Sequence, residues 1–191
     1  MHQLSHRTPE SWVGLVEENL DDFLRDHAAN ERKVCTSALQ LVTQHPEREE
    51  LVRALIVVAQ EEMDHFRRVH ALLDERGQQL GLDEPDPYMT RLRQAIRNPD
   101  VETYLRDRLL LFGIVELRGF ERFRLLGDHL ADEGLRAFYD ELARSEAGHY
   151  ALYLKLARLY FPRDQVESRF QQLIALESDV LAGLPLRPSL H

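Results

Sequence analysis

Two copies of the motif Glu-x-x-His, one at Glu62 to His65 and one at Glu146 to His149, are the residues of this chain best suited to metal chemistry. A glutamate and a histidine three residues apart lie on the same side of a helix, where a carboxylate oxygen and an imidazole nitrogen can bind one ion. The motif alone is weak evidence, because 19 glutamates and 9 histidines in 191 residues give about one copy by chance.

The stronger signal is that each half of the chain repeats a larger pattern. Glu31 precedes the first motif by 31 residues, and Glu116 precedes the second by 30. Apolar residues at helical spacing surround both glutamates, so both carboxylates are expected to point inward. Four buried carboxylates require compensation by cations. Two divalent metals would provide it, and the mixture of oxygen and nitrogen ligands suits iron or manganese.

The elements that must position these residues are predicted to be helices, because apolar residues recur at spacings of three and four between a few breaks at Gly and Pro. Thr8 and Pro9 are expected to start the first helix. The polar stretch from Gly81 to Tyr88 is expected to be a long crossover loop. This is the plan of an all-α four-helix bundle with one long connection, predicted as a single domain over residues 1–191. The expected core helices span about 9–44, 46–77, 100–129 and 132–160, with a short helix at about 89–97 and a C-terminal helix at about 164–182.

Charge and composition limit the possible functions. No apolar run reaches the length of a membrane span, and the polar segment from Met1 to Pro9 predicts no secretory signal, so a cytoplasmic protein is expected. The net charge of −9 opposes attraction of nucleic acid to the whole surface, and any polyanion must meet a local basic patch. The candidate arginine clusters are Arg67 with Arg68, Arg91 with Arg93 and Arg97, and Arg118 with Arg122 and Arg124.

The pattern of two glutamates and two Glu-x-x-His motifs resembles the ferritin-like di-iron carboxylate proteins. Within that group, three segments are similar to the MiaE family of tRNA-(2-methylthio-N6-isopentenyladenosine) hydroxylases. They are residues 26–33, 115–123 and 145–150, which contain Glu31, Glu116 and the second motif. The resemblance covers nearly the whole chain from about Trp12.

The resemblance implies a metal site, a reaction and two partners. Glu31 and His65 would be terminal ligands of one iron, Glu116 and His149 of the other, and Glu62 and Glu146 would bridge, so that the same six residues carry catalysis. With O₂ as co-substrate, the enzyme would hydroxylate the isopentenyl group of adenosine 37 in tRNA. An external reductase is implied as well, because the single Cys35 cannot bind an iron–sulfur centre.

Two other functions remain open at this point. A ferritin-like protein that oxidises iron, handles peroxide or stores iron could use the same ligands, and a metal-free helical scaffold could bind a partner instead. Among neighbouring residues, Glu121 lies about 140° from Glu116 around the helix and is left out of the site. Glu61 and Asp64 are expected in solvent, although either could instead orient an imidazole by accepting a hydrogen bond from it. His27, one turn before Glu31, could be a core histidine or could line the cavity.

Overall fold

The computed structural model describes residues 3–190, and within that range every regular element is a helix. The all-α prediction is confirmed for this part of the chain. The elements are α1 (Ser11–Glu18), α2 (Leu20–Gln44), α3 (Glu49–Glu75), α4 (Pro87–Ala95), α5 (Val101–His129), α6 (Glu133–Tyr160) and α7 (Arg163–Ala182).

One predicted helix is wrong in its extent, because the helix expected over 9–44 is interrupted at Asn19. The side-chain amide of Asn19 donates to the carbonyl of Leu15 at 2.9 Å and so competes with the backbone for that acceptor. Thr8 does not cap the first helix either. Its backbone N–H and its hydroxyl both donate to the carboxylate of Glu121, at 3.0 and 2.8 Å. The other predicted helices agree with the observed ends to within three residues.

The first compact unit is a helical hairpin, here called the hairpin unit, formed by residues 14–85 together with 188–190. Its long helices α2 and α3 pack along each other. Helix α3 ends at Gly77, which has a φ of 68°, a left-handed conformation that glycine adopts without a side-chain clash. The N–H of Gln78 then donates to the carbonyl of Leu73 at 2.8 Å and closes the helix end.

The second compact unit, here called the four-helix unit, contains α4 to α7 and is formed by residues 3–13 and 86–187. Helix α5 packs on α6 and on α7, and α4 packs on α7. Three of its helices begin at an aspartate whose side chain accepts a backbone N–H: Asp86, Asp100 and Asp132. Such caps satisfy donors that a helix start leaves without a partner.

Helix α5 is buried on nearly all sides over residues 105–119, because it has neighbours on more than one face. The side chain of Arg118 is fully buried and binds Glu177 of α7 through two hydrogen bonds, at 2.9 and 3.1 Å. It also pairs with Glu121, and Tyr88 donates to Glu177 at 3.2 Å. This buried network fixes α5 against α7.

The prediction of a single domain stays a prediction, and Met1, His2 and His191, which it includes, lie outside the described residues. Across residues 3–190, none of the helices combines the length and apolar character needed to span a membrane.

Candidate metal centre

The hairpin unit brings one glutamate from α2 together with a Glu-x-x-His motif from α3. Glu31, Glu62 and His65 are exposed by only 3%, 1% and 6%, and each offers one ligand atom within 4.8 Å of the other two. The Nδ1 atom of His65 lies 3.7 Å from Oε2 of Glu31 and 3.4 Å from Oε2 of Glu62. These three residues form the first triad.

The four-helix unit repeats this arrangement with α5 and α6. Glu116, Glu146 and His149 are exposed by 5%, 3% and 3%, and their ligand atoms also lie within 4.8 Å of one another. The Nδ1 atom of His149 is 3.5 Å from Oε2 of Glu146. Gly119, one turn after Glu116, leaves room for one more carbon atom beside this second triad. A Cβ at this position would lie 3.6 Å from the Cγ of Glu146, an ordinary contact distance.

The charges of the first triad depend on one another. Burial works to raise the pKa of Glu31, but His27 and His65 outweigh it and lower this pKa to about 2. Burial works to lower the pKa of His65, but Glu31 and Glu62 raise it to about 10. In the absence of another cation, a protonated His65 therefore compensates the carboxylates, and a metal ion that binds Nδ1 must replace that proton.

The chemistry of both triads suits a divalent metal ion. Each consists of two carboxylates and one imidazole, the donors typical of iron and manganese sites. Two ligand atoms at about 2.1 Å from one ion and about 100° apart are separated by about 3.2 Å. The separations of 3.4 Å and 3.5 Å within the two motifs are close to that value.

All six residues predicted as ligands are thus buried, three in each unit. The neighbouring residues that the sequence left out of the ligand set have other surroundings. Glu61 and Asp64 are exposed, and Glu121 pairs with Arg118 and Thr8. His27, left open by the sequence, is fully buried and its Nε2 lies 2.6 Å from Oε1 of Glu31.

Helices throughout the described residues and two buried triads of this composition are the features of the ferritin-like carboxylate proteins. A solved structure titled Protein 43 with aldehyde deformylating oxygenase activity, from Synechococcus, is similar over 100% of this chain and 96% of its own, with a TM-score of 0.93 and 33% identity. The ferritin-like fold prediction is confirmed.

The family model described as tRNA-(MS2IO6A)-hydroxylase (MiaE) matches residues 1–191, and the chain belongs to this family. A curated relative from Pseudomonas putida, named tRNA 2-(methylsulfanyl)-N(6)-isopentenyladenosine(37) hydroxylase, is 32% identical over 174 residues, which are 91% of this chain and 84% of the relative. A relative of the same name from Salmonella typhimurium is 30% identical over 156 residues, or 82% of this chain and 56% of the relative. The resemblance inferred from the motifs is confirmed.

Proposed function

We propose that the protein is an O₂-dependent monooxygenase that hydroxylates the isopentenyl group of 2-methylthio-N6-isopentenyladenosine at position 37 of tRNA, and that it acts in the cytoplasm. The observation that carries the proposal is the pair of buried Glu/Glu/His triads in a chain of the MiaE family. Both curated relatives are named for this reaction.

The two triads would hold two iron ions. Glu31 and His65 would be terminal ligands of one iron, and Glu116 and His149 of the other. Glu62 and Glu146 would bridge them. Bound iron supplies the activation of O₂, which the side chains of a protein cannot perform. Manganese is compatible with the same donors.

The chain's own residues would set the environment of the reaction. Four carboxylates balance the charge of two divalent ions, and their burial keeps water away from a reactive centre. Half-buried Phe112 and buried Tyr153, in edge-to-face contact at 5.6 Å, stand one turn before Glu116 and one turn after His149. They provide apolar surroundings on that side of the second triad.

An external reductase is part of the proposal. One atom of O₂ enters the C–H bond and the other leaves as water, so two electrons and two protons must be supplied. Cys35 is the one cysteine of the chain, and its buried thiol donates to the carbonyl of Ala59. It cannot bind an iron–sulfur cluster alone.

The experiment combines metal analysis with analysis of tRNA nucleosides. Cells that lack the protein should contain no hydroxylated isopentenyladenosine by mass spectrometry, and the wild-type gene should restore it. Glu116→Ala should bind less iron and fail to restore the nucleoside. Glu61→Ala, an exposed neighbour of Glu62, should behave like wild type. Unchanged hydroxylated nucleoside in the deleted cells would contradict the proposal.

Aldehyde deformylation is a second candidate, because the solved structure with a TM-score of 0.93 is named for that activity. One assay distinguishes hydroxylation of tRNA from deformylation of an aldehyde. Iron-loaded protein with a reductant and O₂ receives either tRNA that carries the modified adenosine or an aldehyde, and hydroxylated nucleoside or formate is measured. Formate release without nucleoside hydroxylation would favour the second candidate.

A further inference from the structure

The three arginine clusters of the sequence have different surroundings, and two members of one cluster are buried. Arg118 and Arg122 are exposed by 0% and 3%. Arg118 binds Glu177, and the guanidinium of Arg122 lies 5.0 Å from the centre of the Trp12 ring. These two side chains therefore stabilise the interior of the four-helix unit.

Two other arginines of the clusters, Arg67 and Arg124, are exposed but pair with nearby carboxylates. Arg67 donates twice to Asp64, at 3.0 and 2.7 Å. Arg124, the exposed member of its cluster, pairs with Asp128 at 2.8 Å and also with Asp140. An arginine that shares its charge with a neighbouring carboxylate attracts a phosphate less strongly.

The α4 cluster differs, and we call Arg91, Arg93 and Arg97 the arginine face. All three are exposed, and none of their guanidinium groups makes a hydrogen bond or an ion pair with another residue in the range 3–190. Helix α4 buries Tyr88, Leu92 and Ile96 at a spacing of four, which leaves the arginines on its exposed side. Arg91 and Arg93 lie at the two edges of that side, about 160° apart around the helix. The segment 87–98 contains no acidic residue. In a chain with a net charge of −9, this face is a local concentration of uncompensated positive charge.

A line of side chains leads from the arginine face towards the second triad. Burial lowers the pKa of Arg108, Tyr104 opposes this shift, and the charge of Arg93 adds to it. The Arg108 guanidinium lies 5.6 Å from the centre of the Phe112 ring. Phe112 stands one turn before Glu116, and Arg108 precedes Glu116 by about 12 Å along the helix axis.

We infer that the arginine face binds the phosphates of a single-stranded RNA segment whose base enters towards the second triad. This inference rests on the proposed function and adds the contact surface to it. Arginine suits phosphate because its planar fork can donate two hydrogen bonds at once. Enzymes that act on a base take it out of the stack while phosphate contacts hold the strand.

The test compares two variants that remove the same charge. The first carries Arg91→Gln, Arg93→Gln and Arg97→Gln. The control carries Arg53→Gln, Arg67→Gln and Arg144→Gln, at three exposed arginines that pair with acids of their own helices. Affinity for tRNA is measured by fluorescence anisotropy across a range of salt concentrations. The first variant should bind at least about tenfold more weakly, and the slope of log K against log salt should fall by about 2, since each lost single-strand phosphate contact removes about 0.7.

The control variant should bind tRNA as the wild type does. Equal loss in both variants, or no loss in the first, would overturn the inference while the proposed function stands. Failure of the wild-type protein to bind tRNA would overturn both.

A different observation concerns His27 and carries a second inference. Its fully buried ring has Nε2 at 2.6 Å from Oε1 of Glu31, and the ring of Phe23 packs beside it at 5.9 Å. The other carboxylate oxygen, Oε2, is the one near His65, at 3.7 Å. The two oxygens of Glu31 therefore have separate neighbours.

We propose that His27 is a positioning residue that donates to Oε1 of Glu31 and reserves Oε2 for a metal ion. The role rests on the metal centre of the proposed function. Outer hydrogen-bond partners of this kind orient a ligand and limit its modes of binding. In the four-helix unit the residue one turn before Glu116 is Phe112, whose side chain has no donor. The hydrogen bond that His27 makes to Glu31 therefore has no counterpart from the same position before Glu116.

Two substitutions test this role with Fe(II) added to metal-free protein. His27→Phe copies the other unit and should weaken binding of one iron equivalent by about 10-fold to 100-fold. One of the two iron signals in the Mössbauer spectrum should change with it. His27→Gln keeps a donor and should restore much of the affinity and the wild-type signal.

Thermal denaturation of the metal-free variants checks that they fold. Two iron equivalents with wild-type affinity and spectra in folded His27→Phe would overturn the role of His27. Equal loss in folded His27→Gln and His27→Phe would overturn it too, because the donor would then not matter. A wild-type protein that binds no iron would overturn the metal centre itself.

Discussion

The two units present the same three ligand types but support them by different means. In the hairpin unit, Glu31 is held by a side chain of its own helix, His27. In the four-helix unit, the helix that carries Glu116 is fixed by a contact with a distant segment. Arg118 lies about 200° further round α5 and ties that helix to α7 through Glu177.

Equal ligand spacing therefore does not make the two triads equivalent. The hydrogen bond of His27 lies within one helix and orients one carboxylate. A buried ion pair between distant segments contributes to the stability of the unit that contains it. Damage to the first support should appear in metal binding, and damage to the second in the free energy of unfolding.

The largest effect is expected from breaking the buried ion pair between Arg118 and Glu177. Arg118→Ala leaves the fully buried carboxylate of Glu177 without its charged partner. We expect the free energy of unfolding to fall by about 3–5 kcal/mol, the range for breaking a buried pair from one side. Urea denaturation of the metal-free protein measures it.

The matched control is Arg124→Ala on the same helix. Arg124 is 42% exposed and pairs with Asp128 and Asp140, which are 50% and 29% exposed, so its loss should cost about 0–1 kcal/mol. Similar losses for the two variants would show that the Arg118 network does not support α5 in the way the comparison requires.

The contrast between the two supports also explains what the sequence could predict. The two buried triads were predictable because each repeats a short motif and a glutamate at nearly constant separation. The Arg118 network was not, since its partners are separated by 59 residues and an arginine two positions after a ligand looks like a surface charge. The break at Asn19 depends on one side-chain hydrogen bond to Leu15, a choice that apolar spacing does not encode. The sequence places His27 one turn before Glu31, but only the structure shows which oxygen of Glu31 it contacts.

A smaller effect per pH unit is expected for the free energy of unfolding, because His65 in the hairpin unit titrates. The pKa of His65 is raised from 6.5 to about 10 in the folded, metal-free protein. The folded state therefore keeps a proton that the unfolded state loses, and the stability gained from it is present below about pH 6.5 and lost as the pH rises through about 10. The slope should reach at most about 1.4 kcal/mol per pH unit. Because the pKa of Glu31 is lowered from 4.5 to about 2, its contribution is lost only as the pH falls through about 2.

The measurement is the free energy of unfolding of metal-free protein between pH 6 and pH 10. His65→Gln lacks the titrating group, so the difference between wild type and this variant should shrink as the pH rises. Parallel curves would mean that Glu31 and Glu62 do not hold a proton on His65. Added metal should flatten the wild-type curve, because the ion replaces the proton.

The smallest effect concerns the space beside the second triad. Gly119 follows Glu116 by three residues, as half-buried Val34 follows Glu31. Gly119→Ala should raise the free energy of unfolding by up to about 1 kcal/mol through helix propensity. It should leave the metal content unchanged, since the new Cβ would meet the Cγ of Glu146 at an ordinary 3.6 Å. Gly119→Val gives this triad the side chain of its counterpart, and its branched methyl groups should press on Glu146 and lower the metal content. Full metal binding by the valine variant would mean that the two triads differ in their hydrogen bonding and helix support but not in the room around their ligands.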